Sequence, residues 1–316
     1  MKKTLTIFCI ILLSFSVGSA MAAPKILYID SYHEGYAWSD GITEGVREAL
    51  DGKADVRVHR MDTKRNSGEE YKVRAALDAR KAIEEYNPDV VIVSDDNASK
   101  YVVREHYYNA DLPFVFCGLN WDASEYGFPT DNVTGMVEVT PVDQLIALLG
   151  DYAKGDRIGF LGIDRLTSTK EAKNIEKVFG LDLVKYFSED EEDWKKGFLE
   201  LQDKVDMIVV DSDGGLYDDS REELAAFVEK NTTVPTGACY DFMTPYVMIT
   251  FGKIAQEQGY WAADNALAVA TGDKAIKDIE VVTNKEGSLG VNIRVASKLG
   301  VDLPYRLIGS ASQVIE

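Results

Sequence analysis

Cysteine is scarce in this chain, which has three among 316 residues. Cys9 lies in the apolar amino-terminal run, so only Cys117 and Cys239 are left for the rest of the protein. Two cysteines cannot supply a disulfide framework. Each lies at the end of a predicted strand, and we expect two buried free thiols, with one bridge between them as the alternative.

Basic residues are also few compared with acidic ones. The chain has 34 Lys and Arg against 53 Asp and Glu, a formal net charge of −19, and loss of Lys2 and Lys3 with a leader would make it −21. A phosphate backbone or an anionic lipid surface needs a basic face to attract it. The charge balance therefore argues against a nucleic-acid partner and against binding to anionic membranes.

The motifs of common enzymes are missing as well. No phosphate-binding Gly-rich loop follows the first predicted strand, and the three histidines, at positions 33, 59 and 106, lack metal-ligand spacing. Cys117 with His33 would give a nucleophile and a base, but no third group to orient them is evident. We predict no enzyme, no cofactor and no metal, and keep a Cys117 hydrolase as an alternative.

The amino terminus has the pattern of a secretory leader. Lys2 and Lys3 precede an apolar run over residues 5–15, and residues 20–22 read AMA, which a signal peptidase cuts after. An uncleaved anchor is the alternative, but the run is shorter than the ~20 residues that span a membrane. We predict a signal peptide over residues 1–23, a mature start near Ala23 and a periplasmic protein without membrane insertion.

Short apolar runs then alternate with helical patterns, which predicts parallel sheets flanked by helices. The pattern restarts after about residue 157, so two Rossmann-like lobes are expected. Crossings near residues 138–142, 239–244 and 283–289 would form a three-stranded hinge. The predicted lobes are residues 24–139 with about 243–278, and residues 140–242 with about 279–316. One long helix is expected from about Tyr246 to Ala270.

Four segments resemble those of a known family in sequence and in order. They are FCGLN at residues 116–120, VTGMVE at 133–138, AVATG at 268–272 and GVNIRVASKLGVDLP at 290–304. Together they resemble solute-binding proteins of ABC transporters related to the tryptophan/tyrosine-binding type. The resemblance implies a type I periplasmic-binding fold, in which two hinged lobes enclose a small molecule.

The chain departs from that family in its first βα loop. Residues 31–41 read SYHEGYAWSDG, which is longer and more aromatic than in aromatic-amino-acid binders. The loop resembles that of extracytoplasmic sensor domains with the same fold. The cysteine for lipid attachment that is common in the transport family is absent. The resemblance therefore does not extend to the identity of the ligand.

Ligands of parallel sheets bind beyond the carboxyl ends of the strands, which identifies the candidate residues. Aromatic faces in the first loop suit a flat or apolar group, although they would also suit packing between lobes. Acidic and amide residues after later strands suit an ammonium or sugar hydroxyls, and Asp96 or Asn97 would equally suit helix capping. The first-half candidates are Tyr32, His33, Tyr36, Trp38, Asp96, Asn97, Asn120, Trp121 and Glu138.

The second half contributes residues after its own strands. The candidates there are Asp164, Thr167, Asp213, Tyr240 and Asp241. Acids outnumber bases among all these positions, which favours a polar or zwitterionic, amino-acid-like ligand, aromatic or not, with a sugar or polyol as the alternative.

Two roles fit a protein that closes on a small molecule. The first is delivery to the membrane permease of an ABC importer. The second is sensing, with the closed form read by a sensor kinase or another membrane receptor. In both cases we expect a monomer.

Overall fold

The computed structural model describes residues 23–212 and 220–316. The predicted leader, up to residue 22, and Asp213 lie outside these residues. The strands are β1 Lys25–Asp30, β2 Asp55–Arg60, β3 Val90–Ser94, β4 Phe114–Asn120, β5 Val133–Glu138, β6 Ile158–Ile163, β7 Leu183–Ser188, β8 Met207–Val210, β9 Thr236–Ala238, β10 Ile249–Lys253, β11 Val282–Thr283, β12 Gly287–Asn292 and β13 Gln313–Ile315.

Helices connect most of these strands. They are α1 Ala37–Leu50, α2 Glu69–Tyr86, α3 Asp95–Ala98, α4 Val142–Gly150, α5 Leu166–Phe179, α6 Glu191–Gln202, α7 Arg221–Asn231, α8 Ala255–Ala270, α9 Ile293–Lys298 and α10 Tyr305–Ser310. A π-helical turn, Ser99–Arg104, continues α3.

The described strands form two sheets, as the sequence predicts. The first has the order β11-β5-β4-β3-β1-β2 and the second β13-β12-β10-β9-β8-β6-β7. Neighbouring strands run parallel except β10 and β12, which are antiparallel. The predicted α/β fold of two Rossmann-like units is therefore confirmed.

Helices cover both faces of the first sheet. Leu27 and Ile29 of β1 pack with α2, whereas Ile26 and Tyr28 pack with α1 and α8. Successive side chains of a strand point to opposite faces, so a strand covered on both sides is apolar throughout. The second sheet has one large core, and Trp121 and Phe179 pack against both this core and that of the first sheet.

Glycines allow α1 and α8 to lie in close contact. A Cβ atom on Gly259 of α8 would clash with the backbone oxygen of Ile42, and one on Gly45 of α1 would clash with that of Gln256. Helix α8 therefore brings residues from late in the chain onto the first sheet.

The prediction of one long helix from about Tyr246 to Ala270 is wrong over Ile249–Lys253, which form β10. Apolar periodicity does not separate a short buried strand from a buried helix, and the β-branched and aromatic residues of β10 favour a strand. Residues 239–244 connect β9 to β10 within the second sheet, and the chain returns to the first sheet only after Lys253. Strand β11 belongs to the first sheet, beside β5.

Cys117 and Cys239 are both buried free thiols. Burial raises the pKa of Cys117 well above its ordinary value, and the nearby Asp95 and Asp30 add to the shift. A thiol of this kind forms little thiolate, which is the nucleophilic form. None of the helices among residues 23–212 and 220–316 is long and apolar enough to cross a membrane.

Candidate functional site

The carboxyl ends of strands from both sheets meet along one line. Glu138, the last residue of β5, forms an ion pair with Lys253, the last residue of β10. Nearby, the Thr140 hydroxyl donates a hydrogen bond to Glu171 of α5. Side chains that follow strands of the two sheets therefore lie close together across this line.

The loop after β1 is anchored by the buried carboxylate of Asp30. Its Oδ1 accepts hydrogen bonds from the backbone N–H of Tyr32 and from the Ser39 hydroxyl, both at 2.9 Å. Its Oδ2 lies 2.6 Å from the guanidinium of Arg60. These bonds hold the aromatic residues of the loop in place.

Three aromatic rings of that loop and that of Trp38, in the first turn of α1, lie at the site. The rings of Tyr32 and Tyr36 meet edge to face with centroids 5.3 Å apart, and the imidazole of His33 lies 6.0 Å from Tyr36. His33 Nδ1 is 3.6 Å from a carboxylate oxygen of Asp62. The Trp38 ring carries the ammonium of Lys253 5.1 Å from its centroid.

Asp95 is a second buried acid in the first half of the site, besides Asp30. Its φ of 65° is rare for a residue other than glycine, and its Oδ2 has no hydrogen-bond partner among the described residues. Burial raises the pKa of Asp95 well above its ordinary value, and the charges of Glu138 and Asp30 add to the shift. Strained backbone of this kind is concentrated at functional sites.

Asp96, Asn97 and Asn120 hold loops to one another. Asp96 accepts hydrogen bonds from the Asn120 side chain at 2.7 Å and from the Tyr126 hydroxyl at 2.9 Å. The Asn97 amide donates to the Thr63 hydroxyl at 2.9 Å. The expected capping role for Asp96 or Asn97 is wrong, because α3 begins after Ser94 with no side-chain cap.

Glu138 is buried, and its surroundings act on it in opposite directions. Burial raises the pKa of Glu138, whereas Lys253 lowers it, and the Trp38 indole acts in the same direction as Lys253. Glu138 is 6% exposed and Lys253 is 27% exposed, so the pair lies mostly out of water. A charged group in such a position depends on its partner.

A pocket of about 220 Å³ opens at the ends of β6, β8 and β9. Burial raises the pKa of Tyr240 well above its ordinary value, and the charges of Glu171, Asp211 and Glu138 contribute to that shift. Glu171 lines this pocket and accepts a hydrogen bond from Thr140, which follows β5, so the pocket lies beside the first half of the site. Its lining residues are Ile163, Arg165, Thr167, Ser168, Glu171, Asp211, Ser212 and Tyr240.

Glu171 makes the stability of this pocket depend on pH. Burial raises the pKa of Glu171 from 4.5 to about 7, against the hydrogen bond from Thr140. Because the folded pKa lies above the unfolded one, the stabilising contribution is complete below about pH 4.5 and is lost as the pH rises through 7. We expect the melting temperature of the native protein to fall relative to that of Glu171→Gln between pH 5 and pH 8. Melting curves at several pH values measure this, and a constant difference would contradict it.

The structure brings most of the candidate residues together. The aromatic side of the site consists of Tyr32, His33, Tyr36 and Trp38. The two halves meet near Glu138 and Tyr240. Trp121 is half-buried against both cores, so it packs the halves together. Asp164 and Asp241 are exposed and do not line the pocket, whereas Thr167 does.

Sequence analysis missed Lys253, Lys64 and Glu171. The predicted long helix includes Lys253 in its interior, whereas Lys253 is the last residue of β10. Lys64 follows β2, and none of the predicted site residues comes from the loop after that strand. Ser168 and Glu171 have the spacing of a helix cap, yet α5 begins after Arg165 and both lie inside it. Among the described residues, no group of three or more His, Cys, Asp or Glu could hold a metal ion.

Comparisons with solved structures confirm the type I periplasmic-binding fold. A ligand-free, open substrate-binding protein with adhesive properties from Clostridium difficile has a TM-score of 0.65 and 18% identity, covering 92% of this chain and 99% of that one. A Streptococcus pneumonia ABC domain in complex with L-Trp has a TM-score of 0.51 and 16% identity, covering 93% and 100%. A periplasmic ribose ABC transporter from Conexibacter woesei has a TM-score of 0.53 and 15% identity, and the match covers 90% of this chain and 97% of that one.

Sequence comparison extends the likeness beyond the fold. No curated protein matches the chain. A family model of ABC transporter substrate-binding proteins, however, matches residues 32–315. Since this match runs from the first βα loop to the last strand, the chain belongs to the ABC transporter substrate-binding protein family.

Proposed function

We propose that the chain is a periplasmic protein that captures a small zwitterionic, amino-acid-like molecule and delivers it to the permease of an ABC importer. The family membership supports the transport role, and the amino-terminal pattern of Lys2, Lys3 and the apolar run supports export. The ligand class rests on the chemistry of the site.

The two sheets are proposed to act as lobes that close on the ligand. The strand pairing supports lobes of residues 24–138 with 255–283, and of residues 142–253 with 287–316. Three chain crossings would then form the hinge, which permits closure and limits twisting. Ligand contacts to both lobes would select the closed form, which the permease recognises.

The observation that carries the ligand class is the pair of buried acids beside the aromatic rings. Asp95 and Glu138 both act electrostatically on Tyr32, and Asp95 has an unpartnered oxygen. A ligand ammonium would satisfy that oxygen and offset the acidic surroundings. In the second half, Arg165 and the start of α5 would suit the ligand carboxylate.

The solved neighbours span two ligand chemistries. One is a complex with L-Trp, which is zwitterionic and aromatic, and another is a ribose transporter protein. The aromatic rings next to acids favour the first chemistry in this chain. If the protein instead bound a sugar or polyol, the proposed ligand class would be wrong, but the proposed role in binding a small molecule would stand.

A thermal-shift screen of amino acids, polyamines, sugars and small acids tests this function. We expect an amino-acid-like compound to raise the melting temperature as its free concentration exceeds the dissociation constant. Trp38→Ala should remove that rise, because the indole faces Lys253 and Glu138 at the centre of the site. Isothermal titration would then measure the affinity of each variant.

Tyr305→Ala is the matched control, since that ring is 94% exposed and does not line the pocket. The control should keep the full ligand-induced rise. A full rise in Trp38→Ala as well would place the indole outside the site. If no compound of any class raised the melting temperature, the proposed function itself would be rejected.

A further inference from the structure

The ammonium group of Lys64 lies against the rings of Tyr32 and Tyr36, which together form an aromatic corner of the candidate site. The Lys64 Nζ atom lies 4.9 Å from the ring centroid of Tyr32 and 4.8 Å from that of Tyr36. The two rings are nearly perpendicular, at 87°. Two rings set at a right angle offer their negative faces to one cation, which is the arrangement that binds organic ammonium groups.

The surroundings of the corner are negative. Asp95 and Asp96 follow Ser94 of β3, which lies beside Asp30 of β1, and the charges of Asp95, Asp96 and Glu138 add to the rise in the pKa of Tyr32. Asp95 is 3% exposed, and its Oδ2 is unpartnered among the described residues. A polar oxygen buried without a partner next to an aromatic corner is a strong acceptor for a ligand donor.

Lys64 itself is held there weakly. Its side chain is exposed, and its charge opposes the rise in the pKa of Asp95 without a direct salt bridge to that carboxylate. A cation–π contact at an exposed site contributes only about 0.5–1 kcal/mol, equal to a two- to fivefold change in affinity. Lys64 can therefore leave the corner when a better cation arrives.

We propose that the Tyr32–Tyr36 corner is the subsite for a substituted ammonium group of the substrate, which displaces the Lys64 ammonium. This inference rests on the proposed function and narrows its ligand class to compounds with an organic cation. Lys64 then acts as an internal competitor that disfavours ligands without a cationic group. The nearby carboxylates balance the charge of the bound ammonium.

Choline and its neutral isostere 3,3-dimethylbutan-1-ol test the cation requirement. The two differ in a quaternary nitrogen against a quaternary carbon, so shape is nearly constant while charge changes. Titration calorimetry of the whole mature chain should show choline binding at least tenfold more tightly than the alcohol. Equal affinity for both, or no binding of choline, would overturn the inference.

Ring variants test the place of binding. Tyr32→Ala and Tyr36→Ala should each weaken choline binding by roughly threefold to tenfold. Tyr108→Ala is the matched control, because that ring carries Arg104 at 4.2 Å on the outside of the protein. Unchanged choline affinity in both cleft variants would also overturn the inference.

The lysine variant separates competition from direct recognition. Lys64→Ala should tighten choline binding about threefold, since the internal competitor is gone. Lys72→Ala, which removes the same charge from a contact with Tyr101, should leave the affinity unchanged. If Lys64→Ala instead abolished binding of an anionic or neutral ligand found in the screen, this inference would fail while the proposed binding function stood.

Discussion

Lys253→Met should lower the free energy of unfolding by about 3 kcal/mol at neutral pH. The substitution leaves Glu138 buried without its cation, and removal of one member of a buried ion pair is more destabilising than loss of the whole pair. It also removes the ammonium from the Trp38 ring. Urea unfolding followed by circular dichroism measures the change.

The loss should shrink in acid. Burial already raises the pKa of Glu138, and without Lys253 this pKa rises further. Because the pKa of Glu138 is then higher in the folded than in the unfolded protein, the variant is least destabilised below the unfolded pKa. It loses stability as the pH rises through the folded pKa. The deficit should therefore be small near pH 4 and largest above pH 7.

Two further variants check the cause. Glu138→Gln combined with Lys253→Met should regain most of the lost stability, because no uncompensated charge stays buried. Lys196→Met is the control for an exposed lysine, since its partners Asp193 and Glu200 lie at the surface. A deficit that is the same at pH 4 and pH 8, or that the double variant does not reduce, would contradict the buried-charge explanation.

Gly259→Ala should destabilise the protein by about 2–3 kcal/mol. The added methyl group would clash with the backbone oxygen of Ile42 and lie 2.9 Å from the backbone nitrogen of Val46. Backbone atoms cannot turn aside as a side chain can, so α1 and α8 must separate. Chemical denaturation of the purified variant measures the loss.

Gly150→Ala is the matched control for this second prediction. Gly150 ends α4, and a Cβ atom there would meet nothing within 4 Å. Alanine is the better helix former, so this variant should be as stable as the native protein or slightly more so. Equal stability of both alanine variants would contradict the prediction, because it would mean that α1 and α8 can accommodate a methyl group at Gly259.

Several elements could be predicted because their sequences carry one dominant signal. Strand β3 is a short run of β-branched apolar residues between helical patterns, which favours a covered parallel strand. Helix α9 begins after Asn292, whose side chain accepts hydrogen bonds from two backbone N–H groups of the first turn. The prediction missed β10 despite its β-branched and aromatic residues, because this short run directly precedes the helical pattern of α8 and does not define its own period.

The site was harder to predict than the fold. Strand ends identify Tyr32, Tyr36 and Glu138, since parallel strands deliver their following residues to one edge. The positions of Lys253 and Lys64 depend on contacts between separate segments of the chain. The end of β10 meets the end of β5, and the loop after β2 meets the loop after β1. No local pattern encodes which lysine lies over which ring.

The late return of α8 and β11 to the first sheet affects the order in which the chain acquires structure during synthesis. Ala262, Ala263 and Ala266 of α8 cover Ile26 and Tyr28, which precede them by more than 230 positions. At roughly 5–20 residues per second, a ribosome needs on the order of ten seconds or more to supply that cover. Until then Ile26 and Tyr28 lack the cover of α8, so the core on this face of the first sheet can be completed only after most of the chain has been made.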